Sequence, residues 1–181
     1  MNITITKKPY LHALKLTKQV FKEKQAQGRK NISHKHLQSD LYSFIMQSVI
    51  FDHYDQPMPQ FHYSHKLNLN DKNIDIKKVS YDNFSQRFMI MLNKNQFDKS
   101  KGLVDGYIFS NIDGNFKQNL FNGYQIMIPI PDESSVIVCG YADYEFISNK
   151  ATENFFKDKR GKVIDSYYYI KFNELVPISK I

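Results

Sequence analysis

The chain has 181 residues, 41% of them apolar and 24% charged, enough for one ordinary domain with a real core. It carries 25 Lys and Arg against 18 Asp and Glu, and the resulting net charge of +7 favours a polyanionic partner, of which nucleic acid is the commonest. Its one cysteine excludes an intrachain disulfide and a cysteine-based zinc site, and no apolar run approaches the roughly 20 residues of a membrane span. Met1 to Lys8 form no apolar signal segment, so the expected compartment is the reducing cytoplasm. Cys139 lies in the apolar run Val136 to Gly140 and reads as a small buried hydrophobe. With no internal repeat, low-complexity tract or linker, the expected organisation is a single domain over residues 1–181.

In chain order, Pro9 to Gln27 reads as a first helix. Leu11, Leu14, Leu16, Val20 and Phe21 give it a rough apolar face, Pro9 suits a first turn, and Gly28 is a natural stop. Its other face carries Lys15, Lys18, Lys22 and Lys24. After the loop Gly28-Arg29-Lys30-Asn31, either Asn31 or Ser33 can cap a second helix from about Lys35 to Tyr54. Leu37, Leu41, Phe44, Ile45, Ser48 and Val49 form its buried stripe, and Pro57 and Pro59 end the region.

The pattern then switches to strands. Phe61 to Leu69 alternates loosely, Asn70 to Asn73 is a turn cluster, and Ile74 to Val79 returns antiparallel. The continuous apolar run Phe88 to Leu92 predicts a central strand buried on both faces. Lys94 to Lys101 predicts a short helix stopped by Gly102. Val104 to Ile112 is a strand ending in an Asp113-Gly114 turn, and Tyr124 to Ile130 and Ser135 to Tyr141 are two more. Val163 to Phe172 is a late strand, and Leu175 to Ile178 closes the chain. The order predicts an α/β or α+β domain in which two N-terminal helices precede a mixed central sheet.

Within the strand Ile74 to Val79, Asp75 and Lys77 are two residues apart. Period-2 geometry sends both to one face, while Ile74, Ile76 and Val79 supply packing toward the core. A carboxylate beside an ammonium suits metal-dependent phosphodiester hydrolysis. The acid holds a hard divalent cation through oxygen, and the lysine holds or polarises a water. The same pair also suits a half-solvated strand with no chemistry at all. Arg29-Lys30, the Lys94 to Lys101 segment (Lys94, Lys99 and Lys101) and the Lys157 to Lys162 loop are candidate phosphate contacts, or else solvated loops. His34, His36, His53, His62 and His65 are surface residues by default, although His62 could reach a metal from its strand.

Around this pair the chain resembles the PD-(D/E)xK nuclease superfamily, the restriction-endonuclease-like proteins, over about residues 35–178. Asp75-Ile76-Lys77 looks like the (D/E)-x-K element. Leu92 to Gln96 followed by Val104 to Phe109 is similar to the segment after the catalytic strand. Val136 to Ala142 resembles the strand beyond it, and Tyr168 to Ile178 a common ending. The resemblance implies a restriction-endonuclease-like core and cleavage of DNA with Mg²⁺ or Mn²⁺, often by a homodimer. Asp75 and the Ile76 carbonyl would hold the metal, and Lys77 would position water. Gln60 falls where the family's first metal-binding Asp is expected, and Gln47 where a helix Glu is expected. Asp55 or Asp52 could supply the missing carboxylate. The amides also fit a second expectation: a catalytically silent relative that binds DNA or a protein partner.

Overall fold

The computed structural model describes residues 1–28, 33–60, 66–82 and 87–181. The chain is a mixed α+β protein, and it divides into two compact units. Met1–His65 with Asn111–Val138 make the first, and Lys66–Ser110 with Cys139–Ile181 the second. Among the described residues, no helix is long and apolar enough to cross a membrane.

The first unit begins with strand β1 (Asn2–Thr4) and the helices α1 (Lys7–Ala26) and α2 (His34–His53), which pack on each other. Helix α1 buries Tyr10, Ala13, Leu16, Thr17 and Phe21. That face is rotated from the expected one, and Leu11 is 51% exposed. The buried Thr17 is tolerated because its hydroxyl donates to the Ala13 carbonyl one turn back, at 2.8 Å. Helix α2 follows its sequence pattern closely. Ser33 is the cap, its hydroxyl accepting the His36 N–H at 3.3 Å; of the expected stripe Leu37, Leu41, Ile45, Ser48 and Val49 are buried and Phe44 is half-buried. Lys8 pairs with Asp52 and Lys24 with Asp40, each at 2.6 Å.

The two longest strands, β6 (Gly106–Phe121) and β7 (Tyr124–Asp143), contribute residues to both units. In the first unit β1 pairs antiparallel with β7, Ile3 opposite Val136. The sequence predicted a turn at Asp113-Gly114 and separate strands at 124–130 and 135–141, whereas both strands run on without a break. The turn between them is Asn122-Gly123, where φ is 49° and 83°, the pair of positive values a tight hairpin needs. Gly114 serves close approach instead. A Cβ there would lie 2.6 Å from the Glu133 carbonyl oxygen, so only glycine lets the neighbouring backbone come so near.

The second unit holds a short hairpin, β2 (Leu67–Leu69) and β3 (Lys72–Lys78), turning at Asn70-Asp71 with φ of 49° and 62°. Leu67 faces Ile74 across it. Strand β3 runs parallel to the first residues of β6, with Ile74 opposite Gly106 and Lys78 opposite Ser110, which makes the sheet mixed. A second, antiparallel sheet has the order β4-β5-β9-β8, from β4 (Ser80–Asp82), β5 (Arg87–Asn93), β8 (Thr152–Lys157) and β9 (Val163–Ile170). Helix α3 (Lys94–Lys99) connects β5 to β6, and α4 (Tyr144–Lys150) follows β7. The Asn93 and Asp143 side chains cap these two helices. Strand β5 has a neighbour on each side, as expected of a central strand. Of the run's described side chains, Ile90 and Leu92 are buried and Met91 between them is half-buried, so over these three residues the strand alternates. Cys139 is partly buried, and burial pushes its thiol above the ordinary range.

Candidate functional site

Strand β3 sorts its residues as period-2 geometry requires. Ile74 and Ile76 are buried, at 0% and 6% exposure, while Asp75 and Lys77 occupy the other face. The Lys77 ammonium lies 2.9 Å from Asp75 Oδ2, so the sequence-derived pair is in direct contact. A second ammonium, that of Lys66 just ahead of β2, reaches the same oxygen at 3.3 Å. The other oxygen, Oδ1, accepts the Ile76 N–H at 2.9 Å. All three charged side chains are largely covered, with 18% of Asp75, 21% of Lys66 and 28% of Lys77 exposed.

The β3–β6 register sets Tyr107 opposite Asp75. Its ring lies 5.9 Å from the Lys77 ammonium, a cation–π contact. The Tyr107 hydroxyl is hydrogen-bonded to Ser100 Oγ. Burial pushes it up to about 12; the Ser100 bond works against the shift and the nearby Asp75 charge adds to it. Tyr107 is therefore neutral in any physiological medium. Phe97, stacked on Tyr144 at 4.2 Å, packs against it from α3.

Taken together, Lys66, Asp75 and Lys77 carry one net positive charge in a partly desolvated position. Such a group can attract an anion. As a donor set for Mg²⁺ it fits poorly, because a hard dication needs several anionic oxygens and here one carboxylate already has two ammoniums on it. Among the described residues, no three His, Cys, Asp or Glu side chains are grouped so as to hold a metal.

The other residues singled out from the sequence fall elsewhere. Gln47 is half-buried on α2, Gln60 is exposed, and Asp55 is exposed in a turn at φ 50°; all three belong to the first unit. Asp52 is engaged by Lys8. Arg29, Lys30, His62 and His65 lie outside the described residues. His34, His36 and His53 are exposed. Lys94 is tied to Glu153 at 2.8 Å, whereas Lys99 and Lys101 are exposed. Lys66 and Tyr107 were not singled out. The only sequence signal for Lys66 is its position just before the hairpin strand that faces Asp75.

A second polar concavity in this unit is lined by Lys72, Asp105, Tyr141, Asp143 and Glu145. Most of its polar groups are engaged in the fold. Asp105 accepts the Asn73 N–H at 2.7 Å, Asp143 caps α4, and the Tyr141 hydroxyl donates to the Asp105 carbonyl at 3.2 Å. In the first unit, Lys15, Lys18 and Lys22 line a shallow groove along the exposed side of α1 with Leu11, Leu14 and Gln19. Compared with protein-family models, with curated proteins and with solved structures, the chain matches none.

Proposed function

We propose that this chain is a DNA-binding relative of the PD-(D/E)xK nucleases in which a cluster of fixed charges, Lys66–Asp75–Lys77, replaces the metal centre. One observation carries the reading: both ammoniums contact the same oxygen of the acid that the resemblance nominates as metal ligand. An ammonium on that oxygen supplies the positive charge a cation would bring, and it repels a dication. The connectivity supports a restriction-endonuclease-like core. An antiparallel hairpin carries Asp75-x-Lys77 on its second strand, and after β5 and α3 comes a strand parallel to it. The net charge of +7 favours the nucleic-acid partner.

The second reading, DNA hydrolysis with Mg²⁺ or Mn²⁺, is favoured by the direct contact of Asp75 with Lys77 on one strand face. It requires Lys66 to swing away and further carboxylates to arrive, for which the resemblance leaves Asp55 beside the amides Gln60 and Gln47. Incubating plasmid DNA with the protein and Mg²⁺ or Mn²⁺, alongside a binding titration in EDTA, separates the two. The expected outcome is duplex binding in EDTA and an intact plasmid. Metal-dependent nicking that Asp75→Asn abolishes would establish the second reading instead.

A further inference from the structure

The β8–β9 hairpin extends beyond the sheet that holds it. Strand β9 pairs with β5 only from Tyr167 to Ile170, the outermost pair being Asn93 with Tyr167. The hairpin itself continues from there, Phe155 pairing with Ser166, Phe156 with Asp165, and Lys157 with Val163 across a bulge. Four further residues of β9 therefore run past β5, a two-stranded arm about 13 Å long before its turn. Asn93 donates to both oxygens of Asp165, at 2.8 and 2.9 Å, and fixes the base of the arm.

The turn at its end is built. One carboxylate oxygen of Asp158 accepts the N–H of Arg160 at 2.8 Å and of Lys162 at 2.9 Å. The backbone closes beneath it, Asp158 N–H to the Lys162 carbonyl at 2.9 Å, with Gly161 at φ 78°. The only acid of the turn thus bonds to backbone. Lys157, Lys159, Arg160 and Lys162 are all exposed, and none forms an ion pair with a described residue. Behind them, Phe155, Phe156, Val163 and Ile164 are 47–66% exposed, although the Phe156 ring also lies against Tyr167 at 4.7 Å.

We infer that this arm is a DNA-reading ribbon. It enters the major groove of duplex DNA with the basic turn against the phosphates and the apolar residues against base edges. This rests on the nucleic-acid reading above and adds the element that makes the contact. Charge complementarity selects the partner: four exposed cations, none of them paired with a described residue, match a polyanion. Shape selects the duplex, because a two-stranded ribbon fits the B-form major groove, about 12 Å wide, whereas the A-form groove of duplex RNA is too narrow. Exposed Phe155 and Ile164 suit thymine methyl groups, the apolar feature of that groove.

The test uses the full chain and two multiple variants. One replaces Lys157, Lys159, Arg160 and Lys162 with Ala and keeps Asp158 and Gly161, so the turn can still form. The other replaces Lys15, Lys18 and Lys22 on α1 with Ala. Melting curves first establish that both fold. Binding to a fluorescent duplex DNA is then measured across a salt series, with a duplex RNA and with phosphatidylserine vesicles in parallel. The expected result is at least a tenfold loss of DNA affinity in the arm variant. Its log–log salt slope should be shallower by about 0.9 for each phosphate contact removed. The α1 variant should change less, and the parent should prefer DNA to RNA. A parent that binds steeply with salt while the arm variant matches it in affinity and slope would overturn the inference and leave the nucleic-acid reading standing. A parent whose binding is weak and flat with salt would overturn both. Vesicle binding lost in the arm variant, with DNA binding intact, would make the arm a membrane probe and also overturn the proposal.

Discussion

In the second unit, two places combine several cations with a single acid, and they use the acid in opposite ways. At β3 the Asp75 carboxylate takes two ammoniums on one oxygen, so two of the chain's lysines are neutralised in part and held. At the end of the β8–β9 arm the Asp158 carboxylate takes two backbone N–H groups, and its four basic neighbours pair with no described residue. A run of charge in a sequence therefore says little about charge available to a partner. What decides it is whether the local acid bonds to side chains or to backbone, which depends on the strand register in one case and on a turn in the other. Lys94 makes the same point. It was a candidate phosphate contact by sequence, and Glu153 engages it.

The largest effect is expected at Asp75. Asp75→Asn leaves two largely covered ammoniums facing each other without their counter-charge. The expected destabilisation is about 2 kcal/mol, below the roughly 3–5 kcal/mol of a fully buried pair because a part of each group meets solvent. Chemical denaturation measures it, and adding Lys66→Met should recover part of the loss. Unchanged stability in the single variant would show that the cluster contributes nothing to the fold.

Lys66→Asp sharpens the same contrast by exchanging an ammonium for a carboxylate. Two acids beside one lysine form a better oxygen donor set, so Mn²⁺ affinity should rise at least tenfold over the parent by calorimetry. The melting temperature should then rise with added Mn²⁺, which it should not do in the parent. Equal weak binding in both proteins would show that Lys66 does not keep metal away from Asp75.

Asp158→Ala attacks the other pole. It deletes two side-chain-to-backbone bonds in an exposed turn, at a cost of about 1 kcal/mol or less, while every basic residue stays. The change should appear as faster amide exchange at Arg160 and Lys162 with little effect on global melting.

The smallest effect of a substitution is read in a titration. Tyr107 and Tyr141 are both raised from the usual 10.0 to about 12, Tyr107 by burial, then by the Asp75 charge, and Tyr141 by burial, then by Asp143 and Asp105. Below pH 10 both are protonated folded or unfolded. Between pH 10 and 12 the unfolded chain releases their protons and the folded one keeps them, so stability falls as pH rises through that window. Asp75→Asn should lower the Tyr107 midpoint slightly, an outcome that tyrosinate absorbance can follow.

Much of this fold is legible in the sequence wherever one short-range rule dominates. Apolar spacing and the two candidate caps, Asn31 and Ser33, of which Ser33 is used, give α2 nearly to the residue, and alternation gives β3 with Asp75 and Lys77 together. Gly102, at φ 71°, does stop the turn after α3. The failures share a cause. Being apolar, Leu11 is expected on the buried face of α1, but the helix is rotated toward Tyr10, Ala13 and Thr17. The Asp113-Gly114 pair has the composition of a turn and is a point of close backbone approach, while Asn122-Gly123, the stronger hairpin signal, makes the turn. Lys66 could not be recognised because its role depends on Leu67 facing Ile74 across the hairpin, a pairing that composition does not encode.

The way the two units share the chain has a practical consequence for dissecting it. Each is assembled from two separated stretches, one on either side of a stretch that belongs to the other. No single cut can liberate either unit intact: a break after His65 leaves the first without Asn111–Val138, and a break after Ser110 parts the second from Cys139–Ile181. The contributions of the units are therefore to be separated by point substitution in the whole polypeptide, because a deletion that spares one unit, such as loss of Met1–His65 or of Cys139–Ile181, leaves it joined to a part of the other.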